Sequence, residues 1–250
     1  MKLRAVIFDL YGTLLDFGPP PPDAETRWGQ VWQAAFGNAP RLTLLQFADE
    51  CRGVVALEHT AARARGIGFP EVYWPDVVDA VLPEIALLPA AARADLPFYD
   101  ADLAHTVHLM PGAADALRTA QAASLRLGLA SNCQPYSLRE LDRALATAGL
   151  SRDIFEPRLC FLSFEHGFSK PDPHVFRLLT ARLRLLGLAP AETLMVGDRV
   201  DNDLEPARAH DWQTFAIGSD SAPCFSRLRG LLLKENCVRG GLDTDQPCSS

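Results

Sequence analysis

Ala5-Val6-Ile7-Phe8-Asp9-Leu10-Tyr11-Gly12-Thr13-Leu14 is the stretch on which the fold turns. Its first four residues are apolar and two of them are β-branched. An acid, then a glycine three residues later, stops the run. A short apolar run bounded in this way reads as a buried strand that ends in a loop. In open α/β sheets, ligands bind beyond the carboxyl ends of the strands. Asp9 therefore stands where chemistry is expected, provided that further strands follow.

They do, after an interruption. Pro19-Pro20-Pro21-Pro22 suits neither a helix interior nor a central strand and marks a linker. From Thr26 to His108 the apolar spacing is helical, as in Leu44, Phe47, Ala48, Cys51, Val54 and Val55 and again in Val77, Val78, Val81 and Ile85. No convincing strand is visible there. The rhythm changes at Met110-Pro111-Gly112, beyond which helices and strands alternate. Strands are expected at Leu125–Ala130, Arg158–Leu162, Thr193–Val196 and Gln213–Ile217. Helices are expected at Ala113–Ala122, Tyr136–Ala148, Pro173–Leu186 and Asp203–Ala209. Alternation of this kind predicts a Rossmann-like parallel sheet with right-handed crossovers, interrupted by an all-helical insertion. The expected α/β core is residues 1–17 and 108–235, the insertion 18–107, and a polar, disordered tail 236–250.

Four polar clusters follow the expected strands. They are Asp9; Ser131 with Asn132; Lys170 in Ser169-Lys170-Pro171-Asp172-Pro173; and Asp198 in Gly197-Asp198-Arg199-Val200-Asp201-Asn202-Asp203. Singly, each has an ordinary explanation: a cap, a turn or a solvated charge. In order, each after a strand, they converge on one rim. A carboxylate can attack phosphorus and form an aspartyl-phosphate. Asp9 and Asp198 offer hard oxygens for Mg²⁺, which binds through one or two carboxylates and keeps waters and substrate phosphate. Ser131 can donate to a phosphoryl oxygen. Lys170 supplies a fixed charge that Asp203 is placed to hold.

These clusters resemble the four signature motifs of the haloacid dehalogenase (HAD) superfamily, over about residues 1–17 and 108–230. The resemblance implies that Asp9 is the nucleophile. It implies a metal site of Asp9, the main-chain carbonyl of Tyr11, and Asp198. It assigns phosphate binding to Ser131, Asn132 and Lys170. The insertion is similar to the helical cap of the phosphoglycolate-phosphatase-like subgroup. The implied activity is Mg²⁺-dependent hydrolysis of a small phosphorylated metabolite.

One position departs from the pattern. Phosphatases of the superfamily usually carry a second Asp two residues after the nucleophile, where this chain has Tyr11. A positioned acid–base group is worth roughly 10²–10⁴-fold. The 2-haloacid dehalogenases resemble this chain in having Tyr there, but they use no metal and lack the doubly acidic fourth motif. Asp198 and Asp203 speak against them. Phosphonate-cleaving relatives need a cap lysine, and no lysine lies between Lys2 and Lys170. A 2-haloacid dehalogenase is the alternative enzyme, and a weakened phospho-ligand-binding module the alternative from another class.

Bulk properties agree with an enzyme. The 250 residues, 48% hydrophobic, suffice for a sizeable core. The net charge of −7, with no basic stripe, excludes a nucleic-acid binder. No apolar run reaches the roughly 18 residues of a membrane span. The six cysteines match no zinc spacing and follow no signal peptide, so a cytoplasmic protein with reduced thiols is expected. In the insertion, His59, Arg63, Arg65, Tyr73 and Trp74, and the loop-like Arg65–Pro70, are candidates to face the site.

Overall fold

A computed structural model describes residues 2–237. In chain order the elements are β1 (Ala5–Phe8), β2 (Leu15–Gly18), α1 (Ala24–Phe36), α2 (Leu44–Ala64), α3 (Trp74–Val81), α4 (Ala90–Ala104), β3 (Thr106–Leu109) and α5 (Ala113–Ala122). Then come β4 (Arg126–Ser131), α6 (Pro135–Thr147), β5 (Phe155–Leu162), α7 (Pro173–Leu185), β6 (Thr193–Gly197), a π-helical turn Val200–Leu204 running into the short α8 (Glu205–Arg208), β7 (Gln213–Ala216) and α9 (Ser221–Cys237).

Five strands form one parallel sheet in the order β5-β4-β1-β6-β7. The first strand is thus central, as the quoted stretch requires. Its alternation explains why all four of its residues are apolar. Val6 and Phe8 face a core that includes Leu117, Leu141 and Phe225, whereas Ala5 and Ile7 face one with Phe176, Leu179 and Trp212. Both faces are covered by helices, which is the usual condition of a parallel sheet. Gly128 on β4 is required by close approach. A Cβ there would sit 2.3 Å from the Leu159 carbonyl oxygen on β5 and 2.6 Å from Ile7.

Between β2 and β3 the chain is helical, with its own core of Trp28, Trp32, Phe47, Val78, Ile85 and Leu96. Thr43 caps α2, accepting from the Gln46 N–H while the Gln46 side chain accepts from the Thr43 N–H.

Two expectations need correction. Thr106–Leu109 is a strand, although no strand was expected before His108; it pairs antiparallel with β2, matching Leu15 to Leu109 and Gly18 to Thr106. This ribbon straddles both expected limits of the insertion. Its four-residue strands carry Asp, Gly, Thr and His, so they lack the apolar run by which β1 announces itself. The expected helix at Asp203 also starts differently, as a π turn from Val200. At the other end, α9 reaches Cys237, two residues into the stretch read as a disordered tail, and 238–250 lie outside the described residues.

Candidate active site

The four clusters meet at the carboxyl ends of β1, β4 and β6. Asp9 leaves β1 with its N–H donating to the Val196 carbonyl, 2.9 Å away on β6. Lys170 lies in the loop between β5 and α7. That loop ends on Asp172, which accepts from the His174 N–H at 2.9 Å and so caps α7, with Pro173 in its first turn. Lys170 is 2% exposed, and its ammonium donates to Asp9 at 2.6 Å and to Asp203 at 2.5 Å. Burial disfavours the ammonium's charge, but the two carboxylates outweigh it and raise the lysine's pKa.

Asn132 fixes the lysine's main chain. Its amide nitrogen donates to the Lys170 carbonyl at 2.8 Å, and its amide oxygen accepts from the Lys170 N–H at 2.7 Å. Ser131 is 1% exposed, next to the Cys133 thiol. Its hydroxyl nevertheless makes no hydrogen bond of good geometry among the described residues. A buried hydroxyl without a partner is unfavourable unless something else supplies one. A phosphoryl oxygen is such a partner.

Asp9, Asp198 and Asp203 bring carboxylate oxygens within 4.8 Å of one another. Burial pushes the Asp9 pKa up to about 6; Lys170 opposes the rise and Asp203 adds to it. Burial, and then Asp203, also raise Asp198 above the ordinary carboxylate range. One ammonium against three carboxylates leaves a deficit of positive charge. The donor set is hard oxygen, which suits Mg²⁺. Asp203 uses one oxygen on Lys170 and the other on the Arg199 N–H at 3.1 Å. Asp9 and Asp198 are therefore the better placed ligands, and Asp203 the support. Gly12, at φ 77°, makes room: a Cβ there would lie 2.5 Å from an Asp198 oxygen.

Tyr11 is placed by contacts that sequence reasoning missed. Its hydroxyl donates to one oxygen of Glu140 on α6, and its ring stacks on Phe17 at 4.6 Å. The other Glu140 oxygen is 2.9 Å from Nε2 of His105, just before β3. Burial and then Glu140 push the phenol pKa well above its ordinary 10, so Tyr11 stays protonated. Glu140 is 5% exposed. An acid in a helix otherwise amphipathic carries no signal of such a role when it stands 129 positions from its partner.

Of the insertion's candidates, Trp74 meets the core, its main-chain N–H donating to the Gln134 side-chain oxygen at 2.8 Å. His59 leaves a buried ring nitrogen without a hydrogen bond among the described residues. Arg63, Arg65 and Tyr73 are exposed. The loop Arg65–Pro70 docks beside the lysine loop: the Phe69 carbonyl accepts from the Ser169 N–H at 2.9 Å, and Pro70 bridges to Phe168. Glu71, unforeseen, accepts from Ser163 at 2.7 Å and from Gln134 at 2.9 Å.

A family model described as haloacid dehalogenase-like hydrolase matches residues 3–211. The chain is 38% identical over 100 residues to a phosphoserine phosphatase of Thermus thermophilus, covering 40% of this chain and 36% of that protein. It is 30% identical over 147 residues to a phosphonoacetaldehyde hydrolase of Bordetella avium, covering 58% and 50%. The chain thus spans between about a third and half the length of these curated relatives. Among solved structures, a defluorinating L-2-haloacid dehalogenase superposes with a TM-score of 0.50 at 22% identity, covering 99% of this chain and 89% of that one, a likeness of fold alone.

Proposed function

This chain belongs to the haloacid dehalogenase-like hydrolase family, and from that premise we propose that it is a Mg²⁺-dependent phosphatase of a small phosphorylated metabolite with Asp9 as its nucleophile. The observation that carries this reading is the trio Asp9, Asp198 and Asp203, gathered around one lysine with their oxygens within 4.8 Å. Such a cluster is costly to hold without a further cation, because like charges at that range oppose one another's ionisation.

In this reading Asp9 attacks phosphorus and the bond to the leaving oxygen breaks, giving an aspartyl-phosphate and an alkoxide that takes its proton from solvent. Lys170 holds the Asp9 carboxylate in line and balances charge on the phosphoryl group. Ser131 donates its unused hydroxyl to a phosphoryl oxygen. Asn132 keeps the Lys170 main chain in register. Asp9, Asp198 and the Tyr11 main-chain carbonyl would hold the metal, which when bound neutralises charge on the transferring group. Water then cleaves the aspartyl-phosphate and restores Asp9. Tyr11 is protonated and bonded to Glu140, so it is no base for that water.

The helical insertion, residues 18–107, serves as a cap over this rim. What supports that is its seam with the core, where Glu71 and Trp74 bond to Ser163 and Gln134. Closure along this seam excludes water during transfer. No helix of the described residues is long and apolar enough to cross a membrane.

The 2-haloacid dehalogenase reading is favoured by Tyr11 alone. The test is detection of phosphoenzyme by rapid quench in wild type and in Asp9→Asn, with halide release from 2-haloacids assayed alongside. Phosphoenzyme that forms in wild type and is absent in the variant supports the phosphatase. Halide release without phosphoenzyme replaces it.

A further inference from the structure

The helical insertion contains a cavity of about 510 Å³, and none of Asp9, Ser131, Lys170, Asp198 and Asp203 lines it. It lies between the Pro20-Pro21-Pro22 connector, the first turns of α1 and α2, Trp74 and the end of α4. Its walls are mainly apolar, including Phe47 and Leu103, and Leu45 at 70% exposed extends the apolar surface outward. This size and lining are those of a small-molecule site, in which a few placed polar groups set specificity.

The polar group here is Asp100. It is 6% exposed, and its carboxyl oxygens accept from the Trp74 indole N–H at 3.2 Å. Glu25, the other acid of the wall, is exposed and engaged on the Leu44 N–H at 3.1 Å. Asp102, Cys51 and Tyr136 are among the titratable groups that interact with Asp100, and none of these three is a cation. Among the described residues, no Arg, Lys or His lines the cavity. A buried carboxyl with no counter-ion is costly, and burial here pushes the pKa of Asp100 up to about 8. A cationic ligand supplies the counter-charge that lets Asp100 ionise in place.

We propose that the cavity walled by the proline connector, Phe47, Trp74 and Asp100 binds a small apolar molecule bearing one ammonium group, the ammonium pairing with Asp100. Occupancy there would press on Trp74, whose main chain bonds to the core through Gln134.

The test is calorimetric titration of the full chain at pH 7.5 with phenethylamine, and with 2-phenylethanol as its neutral counterpart. The same titrations are repeated on Asp100→Asn and on Ala48→Phe. Asparagine keeps an acceptor for Trp74 but cannot pair with a cation. The phenylalanine fills the cavity from a half-buried position on α2. Circular dichroism establishes that both variants are folded. The expected result is saturable binding of the amine at least about tenfold tighter than of the alcohol, a preference lost in Asp100→Asn, and no binding of either to Ala48→Phe. Absence of saturable amine binding, equal affinity for amine and alcohol, or an amine preference that survives Asp100→Asn overturns the proposal.

Discussion

Two residues beyond the nucleophile, a phenol that stays protonated occupies the place where related phosphatases keep a carboxylic acid. Tyr11 spends its hydroxyl on Glu140, and its ring stacks on Phe17, so the hydroxyl is not free to shuttle protons. Tyr11→Asp restores the family's usual residue without altering the main-chain carbonyl. It should raise hydrolysis of alkyl phosphates by at least about tenfold, the cautious edge of general acid–base catalysis, and affect activated aryl phosphates far less. Steady-state kinetics on both substrate types decides it; no gain on alkyl phosphates in a folded variant means another group already supplies the proton. Gly12 offers a second test at this scale. Gly12→Ala meets both a φ of 77° and the Asp198 carboxylate at 2.5 Å. It should weaken Mg²⁺ activation at least about tenfold, equivalent to about 1.4 kcal/mol, and an unchanged Mg²⁺ requirement would contradict the placement of Asp198. The positions of Asp9, Ser131, Lys170 and Asp198 were readable because each stands at the end of a strand or in the loop that leaves one. Glu140, His105 and Glu71 were not, because their roles depend on contacts 35 to 129 positions away in the chain.

Elements were readable in proportion to their apolar periodicity. The strand Ala5–Phe8 and the alternation from Ala113 to Ala216 depend on buried runs, which leave a pattern in the sequence. The β2–β3 ribbon does not; its main-chain pairing holds it, β2 does not alternate, and β3 alternates over only four residues, none of them fully buried. Within the sheet, Gly128→Ala forces a methyl against the Leu159 carbonyl on β5. Overpacking of this kind costs about 1–3 kcal/mol, so denaturant melts should show a lower midpoint, and an unshifted midpoint would mean that β4 and β5 separate freely. In the insertion, Asp100 makes stability depend on pH. Its folded pKa, about 8, lies above its unfolded value, near 3.8. The folded state therefore holds the proton that the unfolded state releases between these values, and stability falls as pH rises through that window. Asp100→Asn removes the penalty. The variant should gain on the wild type progressively from pH 4 to pH 8, by on the order of a few kcal/mol at the top. Parallel melting curves across that range would show that Asp100 ionises freely in the fold.

For the molecule as a whole, one question dominates: whether the acidic rim between core and insertion is a metal-dependent phosphoryl-transfer site. The order of the four clusters made the rim and its three carboxylates readable, but not the π turn at Val200–Leu204 that carries Asp203 into place. The dehalogenase fold is similar enough that shape does not discriminate between the two chemistries. Turnover does. The direct measurement is a screen of phosphate monoesters and 2-haloacids with wild type, Asp9→Asn and Asp198→Asn, each with Mg²⁺ and with EDTA. The account predicts phosphate release that needs Mg²⁺, vanishes in folded Asp9→Asn, and in Asp198→Asn requires at least about tenfold more Mg²⁺. Halide release from a 2-haloacid at full rate in EDTA, with no phosphate released from any ester, would contradict it.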